Sequence, residues 1–202
     1  MKFTNPLDQA LGQKSKVKAL RYLVNYKKEI SIRELAREIK MVPANLSVIL
    51  KELQNEGILT SKRFGRSLVF SLNQDHYLTS DVIIPLFRKE KDIKNKLKQI
   101  ILKSINFSYE SIILFGSVKR GNEKPQSDID VAFIVRDKDL ARAEKETMEI
   151  NQAISRIFGN SISPVVLSQK EFVKRLKNKD KFVSVLSREG EVLAGKSVSG
   201  LL

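Results

Sequence analysis

Apolar residues in the first third of the chain recur with the spacing of amphipathic helices. Three stripes with intervals of three and four residues are present, namely Val17, Leu20, Leu23 and Val24, then Ile32, Leu35, Ala36 and Ile39, then Leu46, Ile49, Leu50 and Leu53. Each stripe predicts a short helix that buries one face. Ser31 and Glu34 form a capping-box pattern at the start of the second helix, and Pro43 and Gly57 mark the start and end of the third. The chain therefore begins with consecutive helices, the last two joined by a short turn.

A strand pattern follows these helices. The residues Lys62-Arg63-Phe64-Gly65-Arg66 form a charged turn, and beyond them Leu68, Phe70 and Leu72 alternate with Val69 and Ser71. This alternation predicts a β-hairpin. The order of helices and hairpin resembles the winged helix-turn-helix domain of small prokaryotic regulators.

The resemblance implies binding of double-stranded DNA by two elements. The third helix, about Pro43 to Glu56, would enter the major groove, and the hairpin would form a wing that reaches phosphates or the minor groove. The residues implied are Asn45, Ser47, Val48 and Lys51 on the helix and Lys62, Arg63 and Arg66 on the wing. Glu52 and Glu56 offset the charge of Lys51, which weakens this assignment. The alternative is a three-helix domain whose hairpin serves dimerisation or protein docking.

The segment from Thr79 to Ile105 has a helical pattern with a break expected near Pro85. Its apolar stripe consists of Ile93, Leu97, Ile100 and Ile101, and lysines and an arginine cover its other face. We expect a helical connector over residues 76–108. Such a connector is long enough to form the contact of a homodimer.

Two apolar, β-branched runs bracket a polar loop in the second half of the chain. Ile112 to Phe115 and Ile129 to Val135 predict buried strands, and the residues between them are typical of turns. Asp128 and Asp130 lie two positions apart, so their side chains project to the same face of the second strand. Two neighbouring carboxylates repel each other unless a cation lies between them, and Mg²⁺ prefers such oxygen ligands together with substrate phosphates.

The turn after the first strand supplies the second half of the predicted site. At Gly116 the absence of a side chain allows a phosphate to approach the backbone, and the N–H groups that follow from Ser117 onwards attract anions. The two features together predict a site for a nucleoside triphosphate with Mg²⁺.

The pattern of Gly116, Ser117, Asp128 and Asp130 resembles the signature of the polymerase-β-like nucleotidyltransferase superfamily, in particular its minimal nucleotidyltransferases. The resemblance implies Mg²⁺-dependent transfer of a nucleotidyl group, with Asp128 and Asp130 as catalytic metal ligands. It also implies that Gly116, Ser117, Arg120 and Ser127 bind the nucleotide. The alternative is a strand that happens to begin at a polar loop.

The resemblance breaks at a third carboxylate, which active members carry on the strand after the next helix. Here that strand contains Val165-Val166-Leu167-Ser168, and Val166 is the position that best matches the missing acid. Because this acid helps to hold the ion that activates the nucleophile, we expect its loss to impair catalysis more than nucleotide binding.

Composition narrows the class of protein. The chain has 202 residues, a net charge of +14 and no cysteine, so no disulfide forms. Residues 1–75 carry 14 Lys and Arg against 7 Asp and Glu, so the net positive charge per residue is higher here than in the rest of the chain. A basic N-terminal domain fits a nucleic-acid partner, although a lysine-rich surface also serves solubility. With no apolar run near the roughly 18 residues of a membrane span, we expect a cytoplasmic protein without a membrane partner.

The expected fold class is α+β. It comprises a winged helix-turn-helix domain over 1–75, the connector over 76–108, and a nucleotidyltransferase-like mixed sheet with helices over 109–202. One function is a DNA-binding nucleotidyltransferase that modifies a protein or small-molecule acceptor and regulates its own operon, as do antitoxins of this superfamily with a HEPN-type partner. The others are a transcription regulator whose degenerate transferase domain senses a nucleotide, and a protein-interaction module that retains only the fold.

Overall fold

The computed structural model of the protein describes residues 1–26 and 29–202. Its chain divides into two units, Met1–Ile93 and Lys94–Leu202, and the buried apolar residues of each form cores of their own. No helix in these described ranges is long and apolar enough to cross a membrane.

The N-terminal unit contains the three predicted helices. Its helical elements are α1 (Pro6–Leu11), α2 (Lys14–Tyr26), α3 (Ile32–Glu38), α4 (Pro43–Asn55), a π-helical turn (Leu78–Ile83) and α5 (Ile84–Lys91). The capping-box prediction is confirmed at its first half, because the Ser31 hydroxyl accepts a hydrogen bond of 3.2 Å from the Glu34 backbone N–H. The side chains of Leu20, Leu35 and Leu50 are fully buried in the core that α2, α3 and α4 share.

An antiparallel sheet completes this unit. Its strands are β1 (Ile30–Ser31), β2 (Leu59–Phe64) and β3 (Ser67–Leu72), in the order β1-β3-β2. Gly65 and Arg66 form the two-residue turn between β2 and β3, and Phe64 pairs with Ser67 across it. Helices followed by a hairpin that closes a small sheet are the winged helix-turn-helix fold, as predicted.

The segment predicted as a connector is helical but is shared between the two units. The Phe87 side chain on α5 is buried in the N-terminal core, and Arg21 on α2 donates hydrogen bonds of 2.6 and 2.9 Å to the two carboxylate oxygens of Glu90. The helix breaks at Asp92 rather than near Pro85. Pro85 lies in the first turn of α5, directly after the π-helical turn, and the helical segment continues through it.

The C-terminal unit is a mixed sheet with helices on both faces, which confirms the α+β class. Its strands are β4 (Tyr109–Leu114), β5 (Ile129–Val135), β6 (Ile162–Ser168) and β7 (Glu191–Gly195). Its helices are α6 (Ile93–Ser104), α7 (Gly116–Arg120), α8 (Leu140–Phe158), α9 (Gln169–Lys177) and α10 (Lys181–Glu189), with 3-10 turns at Asp137–Asp139 and Val198–Leu201. The strand order is β6-β5-β4-β7; β5 and β6 are parallel and the other pairs are antiparallel.

Alternate residues of β5 face the two helical layers. Val131 and Phe133 pack in the core that includes residues of α6 and α8, whereas Ala132 and Ile134 pack in the core that includes residues of α9 and α10. By the same alternation Asp130 lies on the α9/α10 face of the sheet.

Candidate functional site

Strand ends bring the predicted site residues of the C-terminal unit to one edge of the sheet. The register pairs that define this edge are Leu114 with Val131, Leu114 with Glu191, and Ile129 with Ile162. Gly116 and Ser117 follow the end of β4, and Asp128 and Asp130 stand at the start of β5 beside it. The starts of β6 and β7 reach the same edge.

The Gly116 backbone lies directly against the Asp130 side chain. Its φ is +71°, and a Cβ added there would lie 2.6 Å from the Asp130 Cγ and would overlap its carboxylate. The Ser117 backbone N–H donates a hydrogen bond to the same carboxylate, and the Phe115 N–H donates one of 3.0 Å to the Asp130 carbonyl. Glycine is therefore required by the approach of Asp130, in addition to any approach of a phosphate predicted from the sequence.

The charge of Asp128 acts on the Asp130 carboxylate. Burial raises the pKa of Asp130, and the charge of Asp128 raises it further, whereas the Ser117 N–H and the charge of Arg120 lower it. Asp128 is exposed and Asp130 is half-buried. A half-buried carboxylate beside a second one is a favourable place for a divalent cation, since the cation cancels the repulsion.

This donor set fits Mg²⁺ held jointly with a substrate. Among the described residues no group of three or more His, Cys, Asp or Glu side chains is arranged to hold a metal ion. Two carboxylates leave most positions of an octahedral ion to water and to phosphate oxygens, which is the usual way proteins bind Mg²⁺.

Positive charge lies close to the carboxylates. Arg120 ends the short helix α7, and Gly121 follows it with a φ of +69°. The pKa of Glu189, at the end of α10, is lowered by its hydrogen bond to Arg188 and further by the charges of Arg120 and Lys119. Arg120 therefore acts electrostatically on both Asp130 and Glu189, and the sequence did not single out Glu189.

The loop that carries Asp128 is held by hydrogen bonds. The Ser127 hydroxyl accepts one of 2.9 Å from the Lys124 backbone N–H, so this hydroxyl shapes the turn before Asp128. The Asn160 side-chain amide donates bonds of 2.9 and 3.0 Å to the carbonyls of Pro125 and Ser127. Asn160 therefore helps to fix the position of this loop. It was not identified from the sequence, because an asparagine directly after Gly159 indicates only that the preceding helix has ended.

The prediction that Val166 occupies the place of the third carboxylate is wrong. Val166 pairs with Phe133, and both pack in the core on the α6/α8 face, opposite the face of Asp130. The residue beside Asp130 on β6 is Ser163, which is half-buried. A slip of register by an odd number of residues moves a side chain to the other face of a sheet, and the register cannot be read from β6 alone.

The predicted DNA-binding residues of α4 differ in their exposure to solvent. Asn45, Val48 and Lys51 are exposed, and Val48 has 58% of its surface accessible, whereas Ser47 is half-buried. Glu52, which offsets the charge of Lys51 in the sequence, forms a salt bridge of 2.8 Å with Lys16.

Glu56 is engaged in a similar way. Its carboxylate accepts a hydrogen bond of 3.4 Å from the Lys2 backbone N–H and lies 3.9 Å from the N-terminal amine. Glu52 and Glu56 therefore each lie beside a positive charge of their own unit. The charge of the exposed Lys51 side chain remains available to a ligand.

The basic side chains of the hairpin differ in whether they form a salt bridge. Lys62 forms a salt bridge of 3.4 Å with Glu29. Arg63 and Arg66 are exposed and have no salt-bridge partner among residues 1–26 and 29–202. Among the basic side chains of the hairpin, these two are more available to a polyanion than Lys62 is.

Comparison with known families identifies the C-terminal half. The sequence profile of the family described as "Polymerase beta, Nucleotidyltransferase" matches residues 91–197, more than half of the chain. No curated protein matches the chain in sequence.

Solved structures resemble parts of the chain. Reduced HlyU from Vibrio cholerae is 17% identical with a TM-score of 0.36, and the match covers 44% of this chain and 84% of HlyU. The winged helix-turn-helix DNA-binding domain of Mb0332 from Mycobacterium bovis is 16% identical with a TM-score of 0.35, over 45% of this chain and 77% of that domain. A toxin-antitoxin with AMP-PNP is 21% identical with a TM-score of 0.35, over 53% of this chain and 77% of that one. These scores are low, so the fold assignment rests on the topology described above.

Proposed function

The chain belongs to the polymerase β nucleotidyltransferase family, and on this premise we propose that its C-terminal unit binds a Mg²⁺–nucleoside triphosphate and transfers the nucleotidyl group to a protein or small-molecule acceptor. We propose in addition that its N-terminal unit binds double-stranded DNA. The observation that carries the first proposal is the Asp130 carboxylate, held against Gly116 and beside Asp128 at one edge of the sheet.

The chain's own residues divide the work of binding and orienting the substrate. Asp128 and Asp130 would hold Mg²⁺, which supplies charge neutralisation for the phosphate oxygens in the transition state. The Ser117 N–H fixes the Asp130 side chain, and Arg120 adds positive charge beside it. An acceptor oxygen would form a bond to the α-phosphorus while the bond to the β-phosphate breaks, so that pyrophosphate leaves.

A specific observation also supports the alternative function of a nucleotide sensor. Ser163, and not an acid, lies beside Asp130 on β6, so the site offers two carboxylates where the family pattern has three. In that case the triphosphate binds with Mg²⁺ but transfer is slow, and the ligand regulates the DNA-binding unit.

The experiment that tests the proposal separates binding from transfer. Calorimetry with ATP and CTP in the presence of Mg²⁺ measures binding, and α-labelled ATP with hydroxyl-bearing acceptors measures transfer. The variant is Asp128→Asn/Asp130→Asn. The matched control is Glu144→Gln/Glu149→Gln, which removes the same charge from exposed positions on α8.

Each outcome selects one function. Transfer that is abolished in the Asp variant and kept in the Glu control supports the enzyme. Nucleotide binding that is lost in the Asp variant and kept in the Glu control, with no transfer by the wild type, supports the sensor. If the wild type binds neither nucleotide, or if the Asp variant binds as well as the wild type, both functions of this site are wrong.

Two observations support the DNA-binding proposal. Asn45, Val48 and Lys51 are exposed on α4, and the neighbouring acid Glu52 is already paired. On the hairpin, Arg63 and Arg66 have no salt-bridge partner among the described residues. We extend the proposal to an autoregulatory, antitoxin-like role with a HEPN-type acceptor protein on the basis of the family resemblance. Transfer of label to such a protein, lost in the Asp variant, tests that extension.

A further inference from the structure

Phe64 is a large apolar side chain placed in solvent at the tip of the hairpin. It is the last residue of β2, 59% of its surface is accessible, and it is not part of the buried core of its unit. Its partner across the hairpin is Ser67, which is too small to cover an aromatic ring. Single exposed apolar side chains are common on protein surfaces, so the significance of Phe64 depends on the residues around it.

The surroundings of Phe64 are cationic. Lys62, Arg63 and Arg66 lie within two positions of it, and residues 57–74 contain no acid. Aromatic residues and arginine are enriched in protein–protein interfaces as well, but a cluster of three cations in a stretch without acids is the electrostatic pattern of a nucleic-acid-binding surface.

The shape of the hairpin tip restricts how such a ring meets a duplex. The turn consists of Gly65 and Arg66, and a Cβ added at Gly65, where φ is +56°, would meet nothing within 4 Å. The tip is therefore narrow and open on the side of the glycine. The minor groove is about 6 Å wide, so single side chains at the tip of the hairpin enter it more readily than the whole two-stranded ribbon does.

We propose that Phe64 is a wedge that enters the minor groove and unstacks a base step, while Arg63 and Arg66 hold the phosphates on either side. The inference rests on the proposed DNA binding and deepens it, because it assigns the wing a role in deforming the duplex. Apolar side chains inserted in this way kink DNA, and pyrimidine–purine steps yield most easily.

The experiment uses the full chain and a duplex of repeated TA steps that contains 2-aminopurine in place of alternate adenines and a fluorescent label at one end. Anisotropy of the label reports binding, and the 2-aminopurine emission rises when its base unstacks. The variants are Phe64→Ala and Phe64→Leu. The control is Tyr77→Ala, which removes another exposed aromatic ring, 66% accessible, from the same unit outside the hairpin.

We expect the wild type to bind with a rise in emission, and Phe64→Ala to bind with an affinity lower by no more than about tenfold and without that rise. Phe64→Leu keeps part of the rise, and Tyr77→Ala keeps all of it. A flat emission for bound wild type, or an unchanged rise with Phe64→Ala, overturns the wedge and leaves DNA binding intact. If the wild type does not bind the duplex, the DNA-binding proposal fails together with the wedge.

The alternative role of the Phe64 side chain is a contact between two copies of the chain. Sedimentation of the wild type and Phe64→Ala without DNA distinguishes it. A change from dimer to monomer in the variant, with the emission rise retained, assigns Phe64 to a protein interface and overturns the wedge.

Discussion

At the scale of single residues, the Asp130 side chain destabilises the folded state when it is ionised, and the ligand proposed for it would offset that cost. Its pKa is raised in the folded protein by burial and by Asp128, so the folded state binds its proton more tightly than the unfolded state does. The stabilisation that comes from this tighter proton binding is therefore fully present at low pH, and it is lost as the pH rises through the raised pKa. At neutral pH the ionised Asp130 side chain opposes folding, and the proposed binding of Mg²⁺ would remove that cost.

We therefore predict that Asp130→Asn raises the Tm by about 1–3 °C at neutral pH and leaves it unchanged at a pH where the wild-type carboxyl is protonated. Addition of Mg²⁺ stabilises the wild type and not the variant. Thermal denaturation between acid and neutral pH measures both effects, with Glu144→Gln as the control for loss of an exposed charge. A lower Tm for Asp130→Asn at neutral pH would contradict this account.

The position of Ser163 leads to a second prediction. Ser163→Asp places a carboxylate beside Asp130 on the same face, so transfer of label from α-labelled ATP should rise by about tenfold or more if the native site lacks its third acid. Val166→Asp instead places a charge at a half-buried position against the core on the α6/α8 face. It should cost about 1–3 kcal/mol of stability without a gain in rate. Single-turnover transfer and urea unfolding compare the two variants. Equal rates for wild type and Ser163→Asp would show that the native site is complete with two carboxylates.

At the scale of elements, the hairpin supplies charges that the rest of the N-terminal unit does not neutralise. Arg63 and Arg66 have no salt-bridge partner in the described part of the chain. We therefore expect Arg63→Ala/Arg66→Ala to weaken duplex binding and to lower the slope of log affinity against log salt concentration by about 2. Lys62→Ala should have a smaller effect, since Lys62 already contacts Glu29 at 3.4 Å. Fluorescence anisotropy from about 50 to about 200 mM salt measures the slopes.

The control for the hairpin is Arg142→Ala/Arg156→Ala, which removes two exposed arginines from α8 in the other unit. This pair has the same effect on net charge and should leave the slope unchanged. An equal loss of affinity in the control would mean that binding follows total charge and not the wing.

At the scale of the whole molecule, the two units have separate cores and are proposed to bind separate ligands. A ligand stabilises only the unit that holds it, by about 2.7 kcal/mol at a concentration near 100 times its Kd. We predict two calorimetric transitions, one raised by roughly 10 °C on addition of Mg²⁺–ATP and the other raised by a DNA duplex.

The assignment of the transitions follows from the variants. Asp128→Asn/Asp130→Asn should abolish the shift with nucleotide and keep the shift with DNA, and Arg63→Ala/Arg66→Ala should do the reverse. A single transition that moves with either ligand would show that the units unfold as one.

The sequence by itself determined the features that depend on neighbours in the chain. The periodic stripes predicted α2, α3 and α4, and the alternation before Leu72 predicted the hairpin. Each of these follows from local backbone geometry, in which a helix repeats every 3.6 residues or so and a strand every two.

Tertiary structure decided the features that depend on partners distant in sequence. The pairing of Glu52 with Lys16, the pairing of Ser163 rather than Val166 with Asp130, and the edge strand β7 all join segments separated by many residues. Register and ion pairing are selected by the burial of whole faces against one another, and no local pattern carries that information. For this reason the sequence located the two carboxylates of the candidate site, while only the folded sheet showed which residue stands beside them.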